Sequence, residues 1–312
     1  MVHSVRIGIN IGKDVLVLKK ALLIILIILL IGVFVFSGIK VAQILINYRN
    51  IDALYDKAAN EFVKKASVPA PENGEIKVID PEEKNPENAE KASADKPSVG
   101  TDDSKMLEEK IIPEYAPIEI DFDALKKINK EIVAWIYCED SRINYPVLHN
   151  LVSNFYYIAH AYDRSESSAG AIFIDYRNAT GFADYNTIIY GHHTNNGAMF
   201  YTLDNWKKQD FFDEHPVMYI LTPEKDYKVV LFSVYTVSAS SEAYALISGP
   251  GEDLTEYIKV TKERSIVKAD VELDPEAKYV MLSTCSKEFA SARTVLHGML
   301  VPLESAAGVP VN

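Results

Sequence analysis

The hydrophobic pattern begins with one long apolar run near the N-terminus. Residues 21–39 carry no charge between Lys20 and Lys40, and as a helix they would span about 28 Å, close to the hydrocarbon thickness of a bilayer. The run is longer than the apolar part of a cleaved signal peptide, and no A-x-A cleavage site follows it. It therefore predicts a single-pass transmembrane signal-anchor at 21–39. Basic residues are more frequent before the run than after it, which predicts a cytoplasmic tail at 1–20 and an extracellular remainder.

Two segments with different patterns follow the apolar run. In residues 40–65 apolar side chains recur every three or four positions, as in an amphipathic juxtamembrane helix that continues from the membrane. Residues 66–110 contain five prolines, eighteen charged residues and no aromatic residue. Such a composition cannot bury enough apolar surface to offset its ordering entropy. We expect 66–110 to be a flexible acidic linker with an average reach of about 35–40 Å, which carries a globular domain at 111–312.

The pattern over 111–312 changes from helical to strand-like. The segment 121–136 places its apolar residues on one helical face and has two aspartates in its first turn, which predicts a helix. The same spacing predicts a second helix at 252–264. Strands are predicted at 145–148, 169–176, 186–193, 217–221, 228–237, 277–285 and 292–303. Many strands joined by short turns, with few helices, indicate a β-barrel or a β-sandwich.

Composition and charge exclude several classes of function. The chain is 48% apolar, which is ample for a core, and its formal net charge is −12. In 111–312, 17 Lys and Arg residues oppose 28 Asp and Glu residues, so nucleic acid is not an expected partner. Two cysteines, Cys138 and Cys285, are too few for a disulfide framework or a cysteine-built zinc site. We expect Cys138 to be a packing residue and neither thiol to be in a disulfide.

Candidate chemistry lies at the end of the strand predicted at 277–285. Alternation places Ser283 and Cys285 on one face, and a polar loop follows Cys285. Arg293 begins the next strand eight residues later, so a hairpin would bring the arginine close to the thiol. A neighbouring guanidinium lowers the pKa of a thiol and suits a developing oxyanion. On spacing alone, a buried structural cysteine and a surface arginine remain the alternative.

Histidine would supply an acid or base beside the thiol. His192 and His193 end a predicted strand, and because successive strand residues point to opposite faces, at most one of them faces Cys285. The same geometry argues against a metal site built from the pair. His297 shares a strand face with Arg293 but lies about 13 Å further along. Spacing alone does not choose between His192 and His297. The remaining extracellular histidines, expected to be solvated in polar loops, are His149, His160 and His215.

Several segments together resemble the sortases, and among them class B. They are IIYGHHTNNGAMFYTL at 188–203, YVMLSTCSKEFASARTVLHG at 279–298, and the upstream segments INKEIVAWI, INYPV and AGAIFIDYRN. The resemblance covers 115–303. It implies a mainly β fold, a closed eight-stranded β-barrel preceded by N-terminal helices, with one helix between the sixth and seventh strands. The helix predicted at 252–264 fits that position.

The resemblance also implies an active site and a reaction. Its motifs assign Cys285 as nucleophile, His192 as general acid and base, and Arg293 as oxyanion stabiliser, with His193 and His297 as neighbours. The same motifs imply no metal or cofactor. The implied enzyme is a membrane-anchored cysteine transpeptidase that cleaves a C-terminal sorting signal after threonine through a thioacyl intermediate. Residues expected to bind the substrate peptide are Ser283, Tyr190 and, in the loop between the last two strands, Glu288.

The implied partners are exported proteins and a cell-wall amine. The sorting signals are expected to be Asn-Pro-x-Thr-like or related, and the acceptor amine belongs to peptidoglycan or its lipid-linked precursor. Three alternatives stay open: a pilin-polymerising sortase whose acceptor is a lysine, a cysteine peptidase that releases its product to water, and a non-catalytic membrane-anchored binding module.

Overall fold

The computed structural model describes residues 11–66, 115–286 and 288–303. The α-helices in this part of the chain are α1 Ile11–Phe62, α2 Phe122–Ile128, α3 Gln209–Glu214 and α4 Glu252–Glu263. The strands are β1 Val63–Lys65, β2 Ile118–Ile120, β3 Ile132–Tyr137, β4 Asn144–Leu148, β5 Ile172–Ile174, β6 Asn186–Tyr190, β7 Val217–Leu221, β8 Tyr227–Ser238, β9 Lys278–Cys285 and β10 Ala292–Pro302. Short 3-10 helices occupy Thr180–Phe182, Phe200–Lys207 and Glu242–Tyr244.

Strands β3 to β10 close into one barrel, in the order β10-β8-β7-β3-β4-β5-β6-β9. Most neighbouring strands are antiparallel, whereas β4 and β5, and likewise β6 and β9, are parallel. Because α4 lies between β8 and β9, it connects the sixth and seventh strands of the barrel. The expected closed eight-stranded barrel is therefore confirmed, and so is a helix at this position.

Part of the barrel wall is buried on both faces. Ile136 and Leu282 lie on the inner face and are at most 1% exposed. On the outside, Leu254 of α4 packs with Phe232 of β8 and Tyr279 of β9 in a separate cluster. Each fully buried side chain of this size stabilises the fold by about 1.5–3 kcal/mol. Burial on both faces explains why these strands read as nearly continuous apolar runs.

The helix predicted at 121–136 is wrong in its second half. α2 begins after Asp121, whose side chain accepts a hydrogen bond from the backbone N–H of Ala124, and it ends after seven residues. Asn129 has extended backbone angles, and its side-chain amide donates to the hydroxyl of Tyr157 inside the core. The next residues form β3, since β-branched and aromatic side chains favour a strand. This strand is mostly buried, so it lacks the alternation that would have identified it.

The expected membrane segment and juxtamembrane helix form one continuous element, α1. Its portion Leu22–Phe62 is long and apolar enough to cross a membrane, and none of its most apolar window is buried in protein. The helix expected at 40–65 ends at Phe62 because residues 63–65 form β1. The structure therefore has no break in the helix between the apolar run and the globular domain.

The last turns of α1 belong to the globular domain. Ile51 and Tyr55 are about 5% exposed and pack in the same core as the barrel. The domain expected at 111–312 therefore begins inside α1, because these residues are buried against it. This correction places part of the core before the acidic segment.

The strands on the two sides of the acidic segment, β1 and β2, lie next to each other. β1 pairs with β2, and the N–H of Ala66 donates to the carbonyl of Pro117 at 3.0 Å. The two sides of the linker expected at 66–110 are thus neighbours, while residues 67–110 lie outside the described residues. What joins the apolar run to the barrel is α1 itself.

Candidate active site

Three strand ends bring the candidate residues together. β6 and β9 run parallel with Tyr190 opposite Ser283, so His192 and Cys285, each two residues further on, leave the barrel at the same end. β10 runs antiparallel to β9 and places Arg293 opposite Cys285. Because neighbouring strands are about 4.8 Å apart, Cys285 has the histidine segment on one side and Arg293 on the other. The predicted hairpin between Cys285 and Arg293 is confirmed.

The three candidate side chains line one open groove, with a volume of about 220 Å³. The expected residues Tyr190 and Ser283 line the same groove. Its walls come from the loop after β4 and from β5, β6, β9 and β10. The lining residues are Asn154, Ile158, Phe173, Tyr190, Gly191, His192, Ser283, Thr284, Cys285 and Arg293.

Cys285 is exposed, although most of β9 before it is buried. The preceding residues lie between the barrel interior and outer clusters that include side chains of α4, whereas Cys285 opens into the groove. A thiol in this position is accessible to a peptide carbonyl. Cys138 is 1% exposed and its Sγ lies 3.5 Å from the carbonyl oxygen of Val217, as expected for a packing residue. The two cysteines are not joined in a disulfide.

His192 is held by the backbone of the loop after β4. Its Nε2 lies 2.8 Å from the carbonyl oxygen of Ile158, and since a carbonyl only accepts, Nε2 carries a hydrogen in this arrangement. The ring lies against Gly170, where an added Cβ would come within 2.9 Å of its Cδ2. At Gly191 a Cβ would come within 2.6 Å of the Phe200 ring. Both glycines therefore permit close packing that fixes the histidine segment.

Arg293 provides the positive charge of the groove. Its Nη1 donates to the carbonyl of Ala292 at 2.9 Å, which anchors one end of the guanidinium. Among the described residues no carboxylate forms an ion pair with Arg293. The remaining N–H groups of its fork can therefore donate to a ligand in the groove.

Buried partners behind the groove fix Tyr190 and Ser283. The hydroxyl of Tyr190 donates to Asp175 at 2.9 Å, and Arg177 binds both carboxylate oxygens of Asp175. Burial alone would raise the pKa of Asp175, but the hydrogen bonds from Arg177 hold it below its ordinary value. Burial and the Asp175 carboxylate both raise the pKa of Tyr190. Tyr244 stacks on Tyr190 and forms a 2.8 Å hydrogen bond with Ser283.

A second polar network lies behind the three candidate residues. Asp204 accepts a hydrogen bond from Thr294 at 2.7 Å, and its other oxygen lies 2.9 Å from Nε2 of His193. Lys207 bridges Asp204 and Glu288. Burial alone would raise the pKa of Asp204, but hydrogen bonds from Thr294, His193 and Lys207 hold it below its ordinary value. The network thus connects the segments that follow His192, Arg293 and Cys285.

Glu288 does not line the groove with Cys285. Its carboxylate accepts hydrogen bonds from Lys207 at 2.6 Å and from Thr236 at 2.8 Å. The bond from Lys207 also lowers the pKa of Glu288. The loop turns the side chain of Glu288 toward the network around Asp204, and its expected part in peptide binding stays a prediction.

The other histidines do not reach the groove. His297 is 1% exposed and stacks on Tyr235, and burial lowers its pKa to about 3, so it is neutral at physiological pH. His192 is thus the histidine that accompanies Cys285, a choice that spacing alone left open. His149 and His215 are buried rather than solvated, and one ring nitrogen of each contacts a backbone carbonyl inside the domain.

A larger cavity, of about 820 Å³, lies between α4 and the end of β8. Its lining contains several carboxylates but no cysteine or histidine, so nucleophilic chemistry belongs to the smaller groove. In the described ranges, no group of three His, Cys, Asp or Glu side chains is arranged to hold a metal ion.

Comparison with known proteins identifies the family. The Sortase domain model matches residues 136–301, more than half of the chain. The chain belongs to the sortase family. Sortase B of Listeria monocytogenes is 34% identical over 179 residues, which cover 57% of this chain and 72% of that protein. This sortase is therefore a transpeptidase of class B.

Solved structures agree with this assignment. A Staphylococcus aureus sortase B–substrate complex matches with a TM-score of 0.55 and 29% identity, over 59% of this chain and 85% of that one. A crystal structure of sortase B complexed with triglycine matches with a TM-score of 0.54 and 30% identity, over 59% and 86% of the two chains.

Several residues around the groove of this sortase were not predicted. Asp175 had a signal in the sequence, since a carboxylate inside the apolar run at 169–176 needs a buried partner. Asn154, Ile158 and Tyr244 gave no comparable signal, because they reach the site from loops distant in sequence.

Proposed function

We propose that this sortase is membrane-anchored and cleaves a C-terminal sorting signal after threonine, joining the released acyl group to a cell-wall amine. The observation that carries the proposal is the exposed thiol of Cys285 between His192 and Arg293 in one open groove. The thiol supplies a nucleophile, the imidazole a proton carrier, and the guanidinium a fixed donor for negative charge.

The reaction proceeds in two steps, acylation of Cys285 and transfer of the acyl group to an amine. In the first, the Cys285 thiolate attacks the threonine carbonyl carbon while Arg293 donates to the developing oxyanion. The C–N bond to the next residue then breaks, and His192 gives its proton to the leaving amine. Because Nε2 of His192 donates to a carbonyl, its Nδ1 is the nitrogen that exchanges this proton.

In the second step an acceptor amine attacks the thioester. His192 takes the proton of that amine, the C–S bond breaks, and the thiolate of Cys285 is restored. The thioester retains the free energy of the original peptide bond, so transfer needs no nucleotide.

The substrate is an extended peptide that lies along Tyr190 and Ser283. The S. aureus relative was crystallised in complex with a substrate, and another sortase B structure contains triglycine. These two complexes support a peptide donor and an amine acceptor for this sortase. We extend this to Asn-Pro-x-Thr-like sorting signals, and to the amine of peptidoglycan or its lipid-linked precursor.

The anchor is the apolar part of α1. The distribution of Lys and Arg around 21–39 favours an N-terminus in the cytoplasm and a catalytic domain on the extracellular face.

The test uses the full chain in lipid nanodiscs with a panel of Asn-Pro-x-Thr peptides, with and without triglycine. Mass spectrometry should detect a triglycine-ligated product for the natural chain and for Cys138→Ala, the matched cysteine control. Cys285→Ala should give none.

Other outcomes would overturn the proposal. Hydrolysis at an unchanged rate whether or not triglycine is present would identify a peptidase. Transfer to a lysine side chain but not to triglycine would identify a polymerising enzyme. Absence of any product, with Cys285 inert to a thiol reagent, would identify a binding module.

A further inference from the structure

The helix α1 makes polar contacts with the catalytic domain as soon as its apolar surface ends. Leu45 and Ile46 are 57% and 58% exposed, so no protein covers them. The next residue, Asn47, donates a hydrogen bond to Ser168 at 2.6 Å. No exposed polar stretch separates the apolar helix surface from the domain.

Further contacts fix the helix on the domain. Asp52 accepts hydrogen bonds from Arg142 at 3.2 Å and from Asn196 at 3.1 Å. One turn later the buried Tyr55 donates to the carbonyl of Gly170 at 2.8 Å, and its ring packs edge-on against another tyrosine. With the buried Phe62, these contacts extend over about four turns of the helix and oppose free rotation of the domain about it.

Two of the residues that receive these contacts, Gly170 and Asn196, lie close to His192. Gly170 packs against the His192 ring, and Asn196 lies in the loop that follows it. α1 is therefore bonded to both segments that border the histidine, and these bonds link the helix directly to the groove.

The distance from the membrane is correspondingly short. Asn47 follows Ile39 by eight residues, about 12 Å along a helix. The headgroup layer on each side of a bilayer is itself about 5–8 Å thick. The first domain contact thus lies about one helical turn beyond the headgroups, or at them if the bilayer covers the apolar surface up to Ile46.

We propose that α1 holds the catalytic groove at a short, fixed height above the lipid surface, with the domain face around Ser168 and Asn196 turned toward that surface. The inference rests on the proposed membrane anchor. The inference implies that this sortase acts on peptide donors and amine acceptors that are presented close to the lipid surface. It also implies that α1, and not the acidic linker expected at 66–110, sets the distance between the groove and the membrane.

The test compares two insertions in the full chain in nanodiscs. A 14-residue Gly-Ser segment is placed between Ile46 and Asn47 in one variant, and between Ala92 and Ser93 in the matched control. A fluorophore on the exposed Cys285 and acceptors on lipid headgroups report the height of the groove by energy transfer, without any need for activity.

The control should give the same energy transfer as the natural chain, and the Ile46–Asn47 insertion should reduce it strongly. Turnover of a lipid-attached peptide with a short spacer should fall at least about fivefold in that variant, while turnover of a soluble peptide stays unchanged.

An insertion between Ile46 and Asn47 that changes neither energy transfer nor lipid-attached turnover would overturn the inference. So would a control insertion that changes both. If no variant turns over the soluble peptide, the proposed function fails, but the energy-transfer comparison still decides the height.

Discussion

Arg293 lies opposite Cys285 and keeps donors free for the groove. Replacing it in Arg293→Lys retains the charge but removes the planar fork. We predict that kcat for peptide transfer falls about 10²–10³-fold, as for loss of an oxyanion donor, with KM changed much less. Steady-state kinetics test this, with Arg264→Lys on the exposed end of α4 as control. A change confined to KM would assign Arg293 to peptide binding only.

Asp204 connects the segments behind the site through His193, Thr294 and Lys207. In Asp204→Asn, an amide with one acceptor oxygen and one NH2 group replaces a carboxylate with two acceptor oxygens. At least one of the three hydrogen bonds is therefore lost, and the connection between the segments weakens. We predict that kcat falls about tenfold at constant KM, and that Asp204→Glu recovers part of it. The exposed Asp210→Asn serves as control. Equal kcat for Asp204→Asn and the natural chain would show that the network has no part in catalysis.

His297 is buried and neutral, with a pKa of about 3. An unfolded histidine binds a proton near pH 6.5, so this residue lowers folding stability progressively as pH falls from about 6.5 toward 3. We predict that His297→Phe loses less stability than the natural chain over this window. Urea unfolding at a series of pH values measures it, and identical pH dependence in the two proteins would contradict the buried neutral state.

The sequence predicted some site residues because their geometry is local. Cys285 and Arg293 flank one hairpin, so their proximity follows from spacing. His192 could not be separated from His297 by spacing, because the choice depends on the parallel pairing of β6 with β9, strands far apart in sequence. The direction of the Glu288 side chain could not be predicted, because Lys207, which binds it, lies in a 3-10 helix distant in sequence.

At the scale of elements, β7, β8 and α4 follow the predicted bounds within one residue. Their spacing and β-branched composition agree with their tertiary environment. The segment 121–136 failed because helical spacing continues into β3, where burial and the turn at Asn129 override it. The local sequence pattern therefore located these elements well but did not locate the boundary between α2 and β3.

The pairing of β1 with β2 makes the acidic segment replaceable. Lys65 lies opposite Ile118 in an antiparallel pair, and the N–H of Ala66 donates to Pro117, so a tight Asn-Gly turn can close it. We predict that exchanging residues 67–116 for such a turn changes Tm by only a few degrees, and leaves turnover of soluble peptides unchanged. Circular dichroism and peptide kinetics measure both. Loss of cooperative unfolding would show that the segment is part of the folded core.

For the whole molecule, closure of the barrel is what assembles the site. The parallel pairing of β6 with β9 brings His192 to Cys285, and the antiparallel pairing of β10 with β9 brings Arg293. Neither the barrel order nor the docking of α1 is encoded in one local pattern, since both depend on contacts between distant segments. The resemblance to class B sortases implied a closed eight-stranded barrel, but neither its strand order nor the docking of α1.

The measurement that tests the central claim most directly is intact-mass spectrometry of the full chain after a single turnover with a sorting-signal peptide. We predict a transient adduct whose mass equals the peptide up to threonine minus water, located on Cys285 by peptide mapping, and consumed faster when triglycine is added. An adduct on another residue, or turnover with no covalent adduct at all, would contradict the proposed thioacyl transfer.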